Sequence, residues 1–320
     1  MTGMWRMQRT GRSEGLSTAA DGGSRAGSGD PRTLLFVHAH PDDETFTTGV
    51  AIARRAIEGD DVHVLTCTLG DEGEVIPPEL AHYAAKRDDT LGAYRRTELE
   101  AAAAALGAHV AVLGEDELGR GRARYRDSGM AGMPSARDPR SLAQAPIAAV
   151  ARDIGAHLER LRPDVVVTYE ERGGYNHPDH IRVHHAVCAA LARLPEAERP
   201  ALWAVVTPRS QAVRDRSWAG AHAPAHVGLT FLPEDAPFPS GVVSDDAAPW
   251  PVVGSPQALA RRDDGLRAHA TQVTVGDGWY ALSNNVVARL ARVEWYAPMD
   301  PETGRLEDVD KADIEPGLAP

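Results

Sequence analysis

The sequence predicts an α/β fold: a Rossmann-like, mostly parallel sheet with helices on both faces, followed by a smaller C-terminal α+β portion. Short, continuous runs rich in Val, Leu and Thr are typical of strands that are covered on both faces. Ala-rich segments with helical spacing alternate with these runs, as a parallel sheet requires. Gly59 and Gly107 each follow a helical segment and are predicted to end it, because glycine readily adopts the left-handed conformation.

The elements follow one another regularly through the first two thirds of the chain. Five strands are predicted, at residues 34–37, 62–68, 110–113, 165–169 and 202–207. Four helices are predicted between or after them, at residues 45–57, 90–106, 147–161 and 180–194. Residues 233–256 are dense in Pro, Gly, Ser and Asp and predict a surface excursion. Helical spacing returns at 257–270 and at 286–296.

Composition excludes several classes of partner. The formal net charge of −12 disfavours nucleic acid and anionic membranes, which both reward clustered Lys and Arg. No apolar run approaches the ~20 residues that span a bilayer. The two cysteines, Cys67 and Cys188, lie in apolar runs and are expected to be buried thiols of a protein from the reducing cytoplasm. A small molecule is therefore the expected partner.

The first strand ends in an unusual cluster of charge. Residues 34–44 read Leu-Leu-Phe-Val-His-Ala-His-Pro-Asp-Asp-Glu, so that His40, Asp42 and Asp43 follow a buried strand directly. Pro41 is typical of a helix start, where its missing N–H costs nothing. Open α/β sheets bind ligands at this carboxyl edge.

A second cluster follows the strand at 165–169. Residues 172–180 read Arg-Gly-Gly-Tyr-Asn-His-Pro-Asp-His and place His177, Asp179 and His180 at the same edge of the sheet. A catalytic zinc takes three protein ligands and leaves a position for water. We expect His40, Asp43 and His180 to be these ligands, and we prefer His180 to His177 because it lies within the helix that follows Pro178. Ferrous iron accepts the same set.

The remaining polar residues of the two clusters have catalytic roles to fill. Asp42 is expected to be the general base for the metal-activated water. His177, as an imidazolium, and Tyr175 are candidates for stabilising the oxyanion. Asp179 is expected to hold His177 or His180 in the correct tautomer.

These residues resemble the LmbE-like (PIG-L) family of metal-dependent N-deacetylases. The signature is Ala-His-Pro-Asp-Asp-Glu, here residues 39–44, with His-Pro-Asp-His downstream, here residues 177–180. Further similar stretches lie at 62–75, 91–95, 126–130 and 267–275, so the resemblance extends over residues 33–296. It implies hydrolysis of an N-acetyl group, in the branch that acts on the N-acetylglucosaminyl-inositol precursor of mycothiol.

The resemblance also implies roles for individual residues. His40, Asp43 and His180 match the metal ligands, Asp42 the general base, and His177 the group that stabilises the oxyanion or protonates the leaving amine. Tyr175 matches a mobile tyrosine that polarises the carbonyl. Arg95 and Asp127 match substrate-binding residues, although taken alone they read as a solvated helix position and an ordinary turn aspartate.

Other functions fit these residues less well. A dinucleotide site needs Gly-x-Gly-x-x-Gly at the first turn, and the acidic turn here would repel phosphate. A non-catalytic metal- or sugar-binding module would not need Asp42 and His177. Within the family, a mycothiol S-conjugate amidase or another sugar N-deacetylase is the alternative. Phe46 favours the deacetylase, since the amidase has a lysine in this segment.

The predicted organisation has four parts. Residues 1–31, rich in Gly, Ser and Arg and without the apolar core of a signal peptide, predict a disordered leader. Residues 32–208 form the catalytic core. Residues 209–297 are expected to pack on the core and close the substrate cleft, and residues 298–320 to form a polar tail.

Overall fold

The computed structural model describes residues 31–224, 228–247, 249–309 and 319–320. The predicted leader therefore lies outside the described residues except for its last residue, and so does residue range 310–318 of the predicted tail.

The central sheet contains eight strands, and its first five are parallel, as predicted. These five strands are β1 (Thr33–His38), β2 (Asp61–Thr66), β3 (His109–Val112), β4 (Val165–Tyr169) and β5 (Ala201–Pro208). Their order, β3-β2-β1-β4-β5, is that of a Rossmann-like sheet. Each one lies within two residues of its predicted position.

Helices cover both faces of this sheet. They are α1 (Asp43–Glu58), α2 (Leu91–Leu106), α3 (Glu115–Leu118), α4 (Ile147–Leu161), α5 (Gly173–Asn176), α6 (Pro178–Leu191), α7 (Arg209–His222) and α8 (Pro256–Ala268). Gly59 and Gly107 end α1 and α2 in the left-handed conformation, which confirms the predicted stops.

Successive side chains of β1 serve two separate hydrophobic clusters, because side chains alternate between the faces of a strand. Leu35 and Val37 are buried in the cluster that includes residues of α4 and α6. Leu34 and Phe36 are buried in the cluster that includes residues of α1 and α8. A strand buried on both faces is fixed in register, and this holds the residues that follow His38 in place.

The C-terminal portion extends the main sheet and adds a small second one. Its strands are β6 (Val242–Val243), β7 (Trp250–Val253), β8 (Thr274–Val275), β9 (Trp279–Ala281), β10 (Val287–Arg289) and β11 (Val293–Pro298). Strand β11 pairs antiparallel with both β5 and β7, whereas β8, β9 and β10 form the antiparallel sheet. The expected α+β character is confirmed.

One predicted element is wrong. Residues 286–296 were expected to be helical, but they contain β10 and the first part of β11. The apolar positions fit both periods over so short a segment, and pairing with β5, β7 and β9 decides for strand.

The strand order brings the two polar clusters together. Strands β1 and β4 are neighbours, with Leu34 opposite Val165, and the connections leave them in opposite directions. Such a switch point opens a crevice at the carboxyl ends of the strands. Among the described helices, none has the length and apolar character to cross a bilayer.

Candidate metal centre

Three side chains from the two clusters converge beyond β1 and β4. His40 Nδ1 lies 3.2 Å from Asp43 Oδ2. His180 Nε2 lies 3.3 Å from the same Asp43 oxygen and 3.3 Å from His40 Nδ1. These three atoms, from the three residues predicted as ligands, form a nearly equilateral triangle.

The triangle fits a tetrahedral metal. Ligand atoms ~2.1 Å from a tetrahedral zinc lie ~3.4 Å from one another, close to the spacing observed here. Two imidazole nitrogens and one carboxylate oxygen are a normal donor set for catalytic zinc, and ferrous iron takes the same set.

Each of the three side chains also has an outer partner that orients it. Asp179 Oδ2 lies 3.2 Å from His40 Nε2, and the Gly173 carbonyl lies 3.0 Å from His180 Nδ1. Both imidazoles therefore donate from the nitrogen that faces away from the triangle. The Tyr169 hydroxyl donates to Asp43 Oδ2 at 2.8 Å. Such partners fix the tautomer and orientation of metal ligands.

Electrostatics of the buried triangle favour a charged carboxylate. Burial alone would raise the pKa of Asp43, but His180 and His40 hold that pKa well below its usual range. Burial would likewise lower the pKa of His40, but the carboxylates of Asp127, Asp179 and Asp43 raise it. A buried cluster of this kind stabilises positive charge beside Asp43.

His177 adjoins the triangle but has a different hydrogen-bonding state. It precedes α6, and its Nδ1 accepts the backbone N–H of Asp179 at 3.2 Å. Burial, with the neighbouring His40 and His180, lowers the pKa of His177 to about 2, which favours a neutral ring over the imidazolium expected from the sequence. The neutral ring carries its proton on Nε2 and offers it as a donor. His40, His177 and His180 also have ligand atoms within 4.8 Å of one another, but a protonated Nε2 does not coordinate a metal.

Asp42 occupies a strained turn next to the triangle. Its φ of 99° is unusual for a residue with a side chain, and it places Asp42 just before the first residue of α1. The Asp42 N–H donates to Glu44 Oε2 at 2.9 Å, and its carbonyl accepts the N–H groups of Thr45 and Phe46. Burial raises the pKa of Asp42 to about 6, against the opposing effect of Arg95.

Arg95 is buried against this turn rather than exposed on a solvated helix face. Its side chain is 3% exposed, and its guanidinium donates to Asp42 Oδ2 at 3.1 Å and to Gly70 O at 2.8 Å. It also donates to the Pro41 carbonyl. The guanidinium thus braces the turn that presents Asp42 and Asp43.

Asp127 and Asp179 lie together on the opposite side of His40. Asp127 Oδ1 is 3.4 Å from His40 Nε2, and the Asp127 carboxylate accepts the N–H groups of Glu72 and Gly129. Asp179 accepts from the Ser128 N–H at 2.8 Å and from the Ser128 hydroxyl. The Asp179 carboxylate therefore orients His40, whereas its backbone N–H donates to His177 Nδ1 and so contacts one of the two histidines expected.

Tyr175 is the exposed member of the cluster. Its side chain is 47% exposed, and its ring centroid lies 5.0 Å from that of His180 and 5.9 Å from that of His177. Gly174 and Tyr175 have non-helical backbone angles, so the phenol lies on an irregular turn at the site.

Sequence reasoning missed three residues that support the site. Tyr169, the last residue of β4, stacks on His180 with centroids 4.1 Å apart and an interplanar angle of 11°. Glu44 and His269 form a fully buried pair, 2.7 Å between Oε1 and Nε2. Tyr169 reads as an ordinary strand residue, and only the resemblance at 267–275 gave a signal for His269.

The chain is similar to known proteins over most of its length. Residues 35–191 match the family PIG-L, described as GlcNAc-PI de-N-acetylase. A relative from Thermobifida fusca (strain YX), named 1D-myo-inositol 2-acetamido-2-deoxy-alpha-D-glucopyranoside deacetylase, is 39% identical over 302 residues, covering 88% of this chain and 98% of the relative. A relative of the same name from Thermobispora bispora is 44% identical over 274 residues, covering 83% and 87%.

Among solved structures, the chain is similar to the A40926 pseudoaglycone deacetylase Dbv21. The TM-score is 0.49 at 20% identity, and the match covers 83% of this chain and 97% of the other.

Proposed function

The chain belongs to the PIG-L (GlcNAc-PI de-N-acetylase) family, and from that premise we propose that it is a zinc-dependent N-deacetylase of a glucosaminide. The observation that carries the proposal is the convergence of His40 Nδ1, Asp43 Oδ2 and His180 Nε2 within 3.3 Å of one another. Ferrous iron is the alternative metal. The two buried free cysteines fit a cytoplasmic enzyme.

The substrate we propose is 1D-myo-inositol 2-acetamido-2-deoxy-α-D-glucopyranoside, the compound in the names of both relatives. Its deacetylation is a step of mycothiol biosynthesis. An S-conjugate amidase is the competing activity, and Phe46 disfavours it: the ring packs on Tyr280 with centroids 4.8 Å apart and carries no charge.

The proposed reaction assigns a role to Asp42, His177 and Tyr175. A bound divalent metal supplies Lewis acidity and lowers the pKa of the attacking water to about 7. Asp42 takes a proton as water attacks the amide carbon, and the neutral His177 donates a hydrogen bond from Nε2 to the developing oxyanion. Tyr175 adds a second donor to that oxygen.

The Asp42 carboxyl also acts in the second half of the reaction. As the C–N bond breaks, Asp42 returns its proton to the amine nitrogen, and acetate and the free glucosaminide leave. The lowered pKa of His177 supports this assignment, since a neutral imidazole is a poor acid. Arg95 and Asp127 are proposed to bind the sugar and inositol hydroxyls. They would use the hydrogen-bonding positions that their contacts within the protein leave free.

Acetate release tests the proposal. Purified protein should release acetate from the N-acetylglucosaminyl-inositol when zinc or ferrous iron is added and lose that activity on chelation. A mycothiol S-conjugate assayed in parallel should be a much poorer substrate. No acetate release with either metal would refute the proposed function, and faster turnover of the conjugate would replace it with the amidase.

A further inference from the structure

The Pro-rich excursion approaches the turn that carries Tyr175. The Gly241 N–H donates to the Gly174 carbonyl at 2.6 Å, and Gly174 directly precedes Tyr175. A Cβ added to Gly241 would lie 3.0 Å from Gly174 Cα and 3.1 Å from its carbonyl oxygen. Gly241 is not among the glycines with positive φ, so its backbone conformation does not require glycine. The close contact with the Gly174 backbone is the reason that a side chain is disfavoured here.

The segment that delivers Gly241 is anchored at its first end by α7. We define residues 234–245 as the strap. Arg216 of α7 donates to the carbonyls of Glu234 at 3.1 Å and Ala236 at 2.5 Å. Its guanidinium carbon lies 3.8 Å from the centroid of the Phe238 ring, a cation–π contact. A Pro-rich segment held in this way loses much of its freedom.

The other end of the strap is anchored by the main sheet. The Gly241 carbonyl accepts the Thr207 N–H at 2.9 Å, and β6 pairs with the end of β5 in parallel. Beyond β6, the Asp245 carboxylate accepts the Ser210 N–H at 3.1 Å. Gly241 is thus held between α7 and β5, which both lie outside the Tyr175 turn.

The turn itself is irregular and needs support. Gly173, Gly174 and Asn176 all have positive φ, and Tyr175 is non-helical. Glu170 holds the turn from the strand side by accepting the Gly174 N–H at 2.7 Å. The strap contacts it from the other side.

We infer that the strap positions Tyr175, with Gly241 as the contact residue and Arg216 as the anchor. The inference rests on the proposed function and extends it: the strap sets the position of the Tyr175 phenol relative to the substrate carbonyl. Both are positioning residues, because neither touches the reacting atoms.

Gly241→Ala tests the contact. The added methyl should push the turn by a few tenths of an ångström and lower kcat about fivefold to tenfold, with KM and zinc content nearly unchanged. In a Tyr175→Phe background the same substitution should cost less than about twofold, because the phenol it displaces is already gone. Full additivity of the two substitutions would overturn the inference.

Arg216→Ala tests the anchor without relying on activity. Hydrogen exchange of the segments around Gly241 and around residues 170–177 should both accelerate. Arg214→Ala is the matched control on the same helix, since Arg214 bonds Gln211 and not the strap, and it should change neither segment. If hydrogen exchange at residues 170–177 is unchanged in Arg216→Ala, the inference that the strap positions Tyr175 is refuted, even if the wild type is an active deacetylase. Conversely, an inactive wild type with accelerated exchange would refute the proposed function alone.

Discussion

Asp42 adopts a left-handed backbone conformation that costs on the order of 1–3 kcal/mol for a residue with a side chain. The surrounding contacts hold it there: Glu44 accepts its N–H, and Arg95 binds its carboxylate. The fully buried His269 in turn fixes Glu44. The strain separates two adjacent carboxylates, so that Asp43 faces the imidazoles and Asp42 faces Arg95.

This division predicts opposite behaviour for neighbouring substitutions. Asp42→Asn should keep the metal and lose about 10²- to 10⁴-fold in kcat, because only the general base is removed. Asp43→Asn should lose metal affinity, because a ligand is removed. Zinc titration by calorimetry and acetate release distinguish the two variants. Weak zinc binding by Asp42→Asn with tight binding by Asp43→Asn would mean that the roles are exchanged.

The two histidines of the second cluster should also differ. His180→Ala should weaken zinc binding by about 100-fold or more, as loss of a ligand does, whereas His177→Ala should change it by less than about threefold. The reason is the tautomer: His177 Nδ1 accepts the Asp179 N–H and leaves Nε2 protonated. Competition with a chelator of known affinity measures both. Equal losses of zinc affinity would contradict this ligand assignment.

At the residue scale, the sequence predicts that the site residues meet at one edge of the sheet. It does not predict which carboxylate contacts which histidine. His40, Asp43 and His180 follow the ends of neighbouring parallel strands, and such ends share one edge. Which carboxylate faces which imidazole depends on side-chain directions that tertiary packing sets. The carboxylate of Asp179 lies against His40, whereas its backbone N–H meets His177, one of the two histidines expected as its partner.

Helix α1 is the element that presents Asp43, and a buried carboxylate holds it from the C-terminal portion. Glu294 of β11 accepts the N–H groups of Val50 and Ala51, in the middle of α1, at 2.7 and 2.9 Å. The Tyr296 hydroxyl donates to the same carboxylate at 2.7 Å. The last strand of the main sheet thus fixes the helix that begins at the candidate metal centre.

The burial of Glu294 predicts a pH dependence of stability. Burial raises the pKa of Glu294 from 4.5 to about 7. Between these two pH values the side chain is therefore protonated in the folded protein and ionised in the unfolded chain. The free energy of unfolding should therefore fall as pH rises through this window, by about 3 kcal/mol from this group.

Denaturant unfolding at about pH 5 and about pH 8 measures the effect, with Glu294→Gln as the matched variant. The wild type should lose more stability than Glu294→Gln between the two pH values, since other groups titrate alike in both. Equal losses of unfolding free energy in the two proteins would mean that a group other than Glu294 causes the pH dependence.

Local elements were predictable where local pattern decides them. The parallel strands and the four long helices of the first two thirds follow from continuous apolar runs and helical spacing. Strands β10 and β11 were mistaken for a helix, because partners distant in sequence stabilise them and eleven residues do not separate the two periods.

At the scale of the whole molecule, the proposed metal ligands follow β1 and β4, and residues of the C-terminal portion contact the elements that carry them. Two residues from beyond residue 209 support the site: Glu294 binds α1, and His269 binds Glu44 beside the Asp42 turn. The strap, which contacts Gly174, also comes from this part of the chain. The boundary predicted at residues 208 and 209 remains a prediction, but these contacts imply that the two parts act as one unit in forming the site.

Anomalous scattering at the zinc edge, from crystals of protein purified without added metal and then soaked in zinc, locates the bound metal. We expect one strong peak about 2.0–2.2 Å from His40 Nδ1, Asp43 Oδ2 and His180 Nε2. A peak bound by His177 in place of Asp43, or one between Asp127 and Asp179, would contradict this expectation.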